Sequence, residues 1–266
     1  MHKHVWALDF DGVVCDSVGE SSLTAWKAAE RLWPAVFTSQ TAVQARPKVL
    51  EQMRVVRPVV ETGYENIPQI RCLLEGIKVP DILSRWHTIL EEHMAKWGLE
   101  RQQMVALFGS TRDDWIAKDL AGWLAPNRIY PGVAEALQRA LQQEEVYIVT
   151  TKQARFTEML LHNMAEVLFP PERIFSQTES GAPKSVVLER LQAKHPSTTY
   201  HFVEDKLATL EKVCQVPQLA NWKLYLVDWG YNTPEERKRA HSNSRIEVVD
   251  MDRFTALLDG AAYGAT

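Results

Sequence analysis

Short apolar runs near the two ends of the chain, separated by stretches of helical periodicity, constrain its fold more than any other feature. Residues 5–10, Val-Trp-Ala-Leu-Asp-Phe, stop at the turn signal Asp11-Gly12 and read as a buried strand. Comparable runs return at 146–149, 200–203, 224–227 and 246–249. The intervening stretches 132–143, 153–168, 184–194, 206–215, 234–241 and 251–258 carry amphipathic helical patterns. Strands that alternate with helices imply parallel β-α-β units, and so an α/β fold with an open sheet covered by helices on both faces.

The middle of the chain reads differently. From about residue 20 to 128 no strand pattern occurs, whereas 23–33, 41–56, 82–97 and 113–123 place apolar residues at helical spacing. This block reads as an all-helical insertion that enters after the first strand and leaves at Tyr130-Pro131-Gly132. The expected division is therefore a core of 1–16 and 130–266, with an inserted helical domain of 17–129. A length of 266 residues fits a core plus a smaller second domain. The small residues from Gly260 to the end read as a loose tail.

Composition narrows the partners. With 45% hydrophobic and 24% charged residues, the chain is ordinary globular material. A formal net charge of −4 gives no general attraction to nucleic acid or to an anionic membrane surface, and neither partner is expected. The apolar stretch at the N-terminus is far shorter than the roughly 20 residues that span a bilayer, and no signal peptide is visible. Cys15, Cys72 and Cys214 have no zinc-site spacing and imply no disulfide framework. A cytoplasmic protein is the expectation.

Four stretches carry candidate chemistry. Asp9-Phe10-Asp11-Gly12 puts two carboxylates two residues apart at a strand end, a costly arrangement without a cation or a catalytic task. In open parallel sheets, ligands bind beyond the carboxyl ends of the strands. A solvated turn would use the same residue types. The run 146–149 ends in Thr150-Thr151-Lys152, where a hydroxyl could serve a phosphoryl oxygen or Thr151 could cap the following helix. Gly181-Ala-Pro-Lys184 opens another helix with a lysine, which the helix dipole disfavours. Finally, Glu204-Asp205 ends a third strand, where helix-start acids are the competing explanation.

Together, in this order, the four stretches resemble the haloacid dehalogenase (HAD) superfamily. Asp9-x-Asp11-Gly12 looks like its first motif, Thr150 its second, Lys184 its third and Asp205 its fourth. Tyr130-Pro-Gly-Val133 and Trp229-Gly-Tyr231 are similar to phosphoglycolate-phosphatase-like members. The resemblance covers 1–16 and about 130–258, and implies a Rossmann-like core with a helical cap inserted after the first motif. One departure stands out: Glu204 replaces the Gly found before the fourth-motif Asp in many relatives, and Thr209 occupies the position of a further Asp.

The resemblance also implies an activity, hydrolysis of a small phosphorylated metabolite through an aspartyl-phosphate. Asp9 would be the nucleophile and Asp11 the acid and base, while Thr150 and Lys184 hold the phosphoryl group and Thr151 adds a contact. Mg²⁺ would bind Asp9, the Asp11 carbonyl and Asp205, with Glu204 helping directly or through water. A phosphomutase of the β-phosphoglucomutase kind uses the same acid pair, and a non-catalytic HAD-like module is the reading from another class. In the helical block, Arg54 and Arg57 lie three apart and could share a helix face, which would suit a second anionic group on the substrate. A solvated helix face is the alternative. His201, inside a strand, reads as a hydrogen-bonded core histidine.

Overall fold

The computed structural model describes residues 4–260. Residues 1–3 and the tail from 261 lie outside the described residues. The chain divides into two compact units, one formed by the chain up to Asp16 and again from Arg128, the other by Ser17–Asn127. No helix among the described residues is long and apolar enough to cross a membrane.

In the first unit, strands β1 (His4–Leu8), β4 (Glu145–Thr150), β5 (Ile174–Ser176), β6 (Thr199–Glu204), β7 (Trp222–Val227) and β8 (Ile246–Val249) form one sheet in the order β5-β4-β1-β6-β7-β8. Every pairing is parallel. Two further short strands, β2 (Cys15–Asp16) and β3 (Arg128–Ile129), form a separate antiparallel ribbon where the chain leaves and re-enters this unit. β1 lies between β4 and β6, so both of its edges are paired, and its residues 5–8 are buried. Successive side chains alternate between faces. Val5 and Ala7 point into a cluster with Val149, Phe202, Leu224, Leu188, Leu207 and Leu210. On the strand between them Trp6 stacks on His201, with ring centroids 3.9 Å apart and planes inclined by 11°.

His201 is fully buried, and its ring nitrogens meet His4 Nδ1 at 3.0 Å and the Tyr225 hydroxyl at 3.1 Å. The edge strand β5 has no counterpart among the apolar runs of the sequence. It is only three residues long, Ile-Phe-Ser, too short for a periodicity to develop.

The second unit is helical. Its core gathers Trp26, Phe37, Met53, Ile67, Ile70, Trp86, Ile89 and Phe108. A buried ion pair also ties it together. Arg112 donates Nε and Nη2 to the two oxygens of Glu20, at 2.8 and 2.6 Å, and Trp123 Nε1 and Thr24 Oγ1 donate to Glu20 Oε1. The helix Gln40–Val56 carries Arg54 in its last turn. It ends before Pro58, which has no N–H to return to the Arg54 carbonyl. Arg57 therefore falls in the 3₁₀ turn Arg57–Val59. The two arginines do not share a face: Arg54 is exposed, whereas Arg57 is buried and donates Nη1 to Val60 O at 3.1 Å.

Candidate active site

The strand order brings the three central carboxyl ends together. β1 runs into Asp9, β4 ends at Thr150 and β6 at Glu204, with Asp205 following. Asp9 N donates to Val203 O at 2.9 Å, which extends the β1–β6 register to Asp9. The outcome is a buried acidic cluster: carboxylate oxygens of Asp9, Glu204 and Asp205 all lie within 4.8 Å of one another. Lys184, the first residue of the helix Lys184–Lys194, points its ammonium into this cluster, 3.0 Å from Asp9 Oδ1 and 2.6 Å from Glu204 Oε2.

The local chain is shaped around Asp205. Gly12 has φ +87°, in the left-handed region, and a Cβ there would meet Asp205 Oδ2 at 2.1 Å. At Gly230 a Cβ would meet Asp205 Cβ at 2.4 Å. Tyr231 N donates to Asp205 Oδ2 at 2.8 Å, and Asn232 Nδ2 donates to the Asp205 carbonyl at 2.9 Å. The Tyr231 hydroxyl continues to Asp16 Oδ1 at 2.7 Å. Asp205 is thus oriented by the turn after β7, and the Trp229-Gly-Tyr231 segment acts through its backbone. Glu204 is held from two sides, since its Oε1 accepts from Asp205 N and Lys206 N at 3.2 and 3.1 Å while Oε2 takes Lys184.

Thr150 is buried, and its Oγ1 accepts from Lys152 N at 3.1 Å, so its own hydroxyl proton points elsewhere. Thr151 is half-buried and does not cap the next helix, which is Ala154–Met164 with Gln153 at its cap position. Its carbonyl instead accepts from Thr178 Oγ1 at 2.5 Å. The sequence reading did not single out Lys152. Its side chain is 1% exposed and its ammonium lies 3.2 Å from Asp11 Oδ1. A signal was available, since Lys152 stands two residues past Thr150 as Asp11 stands two past Asp9, at the same edge of the sheet.

Electrostatics point the same way as geometry. Burial pushes the Asp9 carboxyl up; Lys184 opposes this, and Asp205 and Asp11 add to it. Glu204 is pushed well up, by burial first and then by Asp9. The neighbouring carboxylates Asp9 and Glu204 overcome burial and keep Lys184 protonated. One ammonium faces three buried carboxylates, and this surplus of negative charge fits a hard divalent cation. The donor set is all oxygen with few protein ligands, which suits Mg²⁺. Asp9, Asp205 and Glu204 would hold it. The nearness of Lys184 to Glu204 leaves Asp9 and Asp205 as the acids less committed to other partners.

No family model matches the sequence, and no curated protein matches it. Solved structures do resemble it. A predicted phosphatase from Clostridium acetobutylicum superposes with a TM-score of 0.58 at 13% identity, covering 97% of this chain and 98% of that one. A predicted phosphoglycolate phosphatase from Haemophilus somnus gives 0.58 at 15% identity, covering 97% of each. A haloacid dehalogenase-like family protein from Streptococcus pneumoniae gives 0.50 at 13% identity, again covering 97% of each. On the parallel sheet, the inserted helical unit and these superpositions, the chain has the fold of the haloacid dehalogenase-like phosphatases.

Proposed function

We propose that this chain is a Mg²⁺-dependent phosphatase that hydrolyses a small phosphate monoester through an aspartyl-phosphate on Asp9. The observation that carries the reading is the convergence of Asp9, Glu204 and Asp205 with the Lys184 ammonium at the carboxyl end of the sheet. Its structural neighbours, a predicted phosphatase and a predicted phosphoglycolate phosphatase, favour the same class.

A bound divalent cation supplies positive charge that lets a carboxylate approach a phosphate dianion. An Asp9 oxygen attacks phosphorus while the bond to the leaving oxygen breaks. Asp11 gives its proton to that oxygen, so the alcohol departs neutral. Water then attacks the phosphorus of the Asp9 acyl phosphate, Asp11 takes the proton, and inorganic phosphate and free Asp9 result. Lys184 and the Thr150 hydroxyl hold the phosphoryl oxygens during both displacements. Lys152 fixes Asp11 through their contact at 3.2 Å.

The helical unit is proposed to select the substrate. Arg54 is the candidate cation for a second anionic group on it, because Arg57 is buried and donates to Val60 O. Release of inorganic phosphate from a panel of phosphorylated metabolites, with Mg²⁺ and with EDTA, tests the proposal. Metal-dependent release lost in Asp9→Asn supports it, and undiminished release by Asp9→Asn rules out the covalent route.

A further inference from the structure

The helical unit holds a cleft of about 560 Å³ that the proposed chemistry does not use. One wall is the helix Val18–Leu32, which contributes Lys27 and Arg31, four residues apart and so on one face. The other is the helix Arg101–Lys118, which contributes Thr111, Asp114, Trp115 and Lys118, again at helical spacing. In a sealed helix pair these facing positions carry apolar side chains. Here only Trp115 does, and the remainder are charged or polar.

The charges do not cancel within the cleft. Arg31 Nη1 donates to Asp114 Oδ2 at 3.0 Å and to Thr111 Oγ1 at 3.1 Å. The Thr111 hydroxyl in turn donates to Leu107 O at 2.7 Å. Asp119, at the rim, accepts from Gly122 N through Oδ1 at 2.8 Å. Arg31 is thus paired with Asp114, Asp119 keeps its charge, and the lining holds three cations against two carboxylates. Lys27 Nζ lies 4.6 Å from the centroid of the Trp115 ring, and Lys118 makes no ion pair or hydrogen bond among the described residues. Lys27 thus stands over an indole and Lys118 lines the same cleft, neither with a carboxylate partner among the described residues, and the volume lies within the roughly 300–1,000 Å³ range of small-molecule sites.

We propose that this cleft binds a small organic anion of nucleoside-monophosphate size, with its charged group between Lys27 and Lys118 and its ring against Trp115. Lysine ammonium groups act as compact point charges for a phosphate. The indole offers apolar area to a flat ring at little conformational cost. Arg31 and Asp114 brace each other and keep the wall in place.

The test is a calorimetric titration of AMP into full-length protein carrying Asp9→Asn, in EDTA and at low ionic strength, so that turnover and metal-assisted binding do not intervene. The expected result is saturable binding that weakens at least tenfold in Lys27→Glu/Lys118→Glu and several-fold in Trp115→Ala. Each variant is first checked for an unchanged helical spectrum. AMP should also raise the melting temperature of the parent and not that of the charge-reversed variant. Absence of binding up to millimolar AMP overturns the proposal and leaves a solvated seam. So does binding unaffected by charge reversal. Inorganic phosphate that binds as tightly as AMP, with no effect of Trp115→Ala, overturns the ring contact. Phosphate release from the metabolite panel is measured separately on the wild-type chain, and its failure leaves the AMP titration standing.

Discussion

Lys184 Nζ lies 2.6 Å from Glu204 Oε2, a contact between the first residue of a helix and the last residue of β6. Both side chains are almost completely buried. Removing one partner of such a pair leaves an unpaired charge in a low-dielectric site, at a typical cost of about 3–5 kcal/mol. Lys184→Met should therefore destabilise the metal-free protein by that order in urea unfolding and abolish phosphate release. Glu204→Gln keeps an acceptor for Lys184 and should cost less. Equal losses for the two variants would show that the contact itself matters little.

Asp9→Asn is expected to separate stability from activity. Burial first, and then Asp205 and Asp11, push the Asp9 carboxyl up against the pull of Lys184, so its charge is less favourable in the folded chain than in the unfolded one. An amide of the same shape removes repulsion from Asp205. Urea midpoints in EDTA should be equal to or higher than wild type, with turnover lost. A markedly lower midpoint would mean that the Asp9 charge has a structural partner stronger than Lys184.

Mg²⁺ should raise the melting temperature of the wild-type chain by binding the folded state alone, and EDTA should reverse this. Asp205→Asn and Asp9→Asn should each blunt the shift. A full shift in both variants would place the cation elsewhere.

Gly12→Ala adds a methyl group 2.1 Å from Asp205 Oδ2 at a residue with φ +87°. The left-handed conformation alone costs an L-residue about 1–2 kcal/mol. Displacement of Asp205 adds a loss of metal response. The prediction is a modest drop in urea midpoint together with a large drop in Mg²⁺-dependent activity. Retention of full activity would show that the turn can relax without moving Asp205.

His201 makes stability sensitive to acid. Burial first, and His4 and Lys223 next, lower its pKa to about 2 from an ordinary 6.5. Between those values the unfolded chain binds a proton that the folded chain refuses, so stability rises with pH across the window and is lost as pH falls through it. His201→Phe forgoes the contacts with His4 and Tyr225 and should be less stable at pH 7.5. The gap to wild type should narrow at pH 5. A gap that stays constant between the two pH values would mean that His201 is protonated in the folded protein.

Local signals in the sequence carry much of the architecture. Apolar runs bounded by turn residues marked β1, β4, β6, β7 and β8, because a strand buried on both faces must be apolar along its length. Asp9, Thr150 and Asp205 were legible as candidates because each ends such a run, where parallel sheets present their ligands. What lay beyond reach depended on distance through space. No spacing in the sequence announces that Lys152 faces Asp11, that Tyr231 N orients Asp205, or that Gly12 must lack a side chain to let Asp205 approach. The same holds for Arg54 and Arg57, where three-residue spacing suggested one face and a proline-ended helix with a buried guanidinium decided otherwise. Periodicity is a property of one segment, and hence visible in sequence. Burial, ion pairing and close approach belong to pairs of segments, and only tertiary packing assigns the partners.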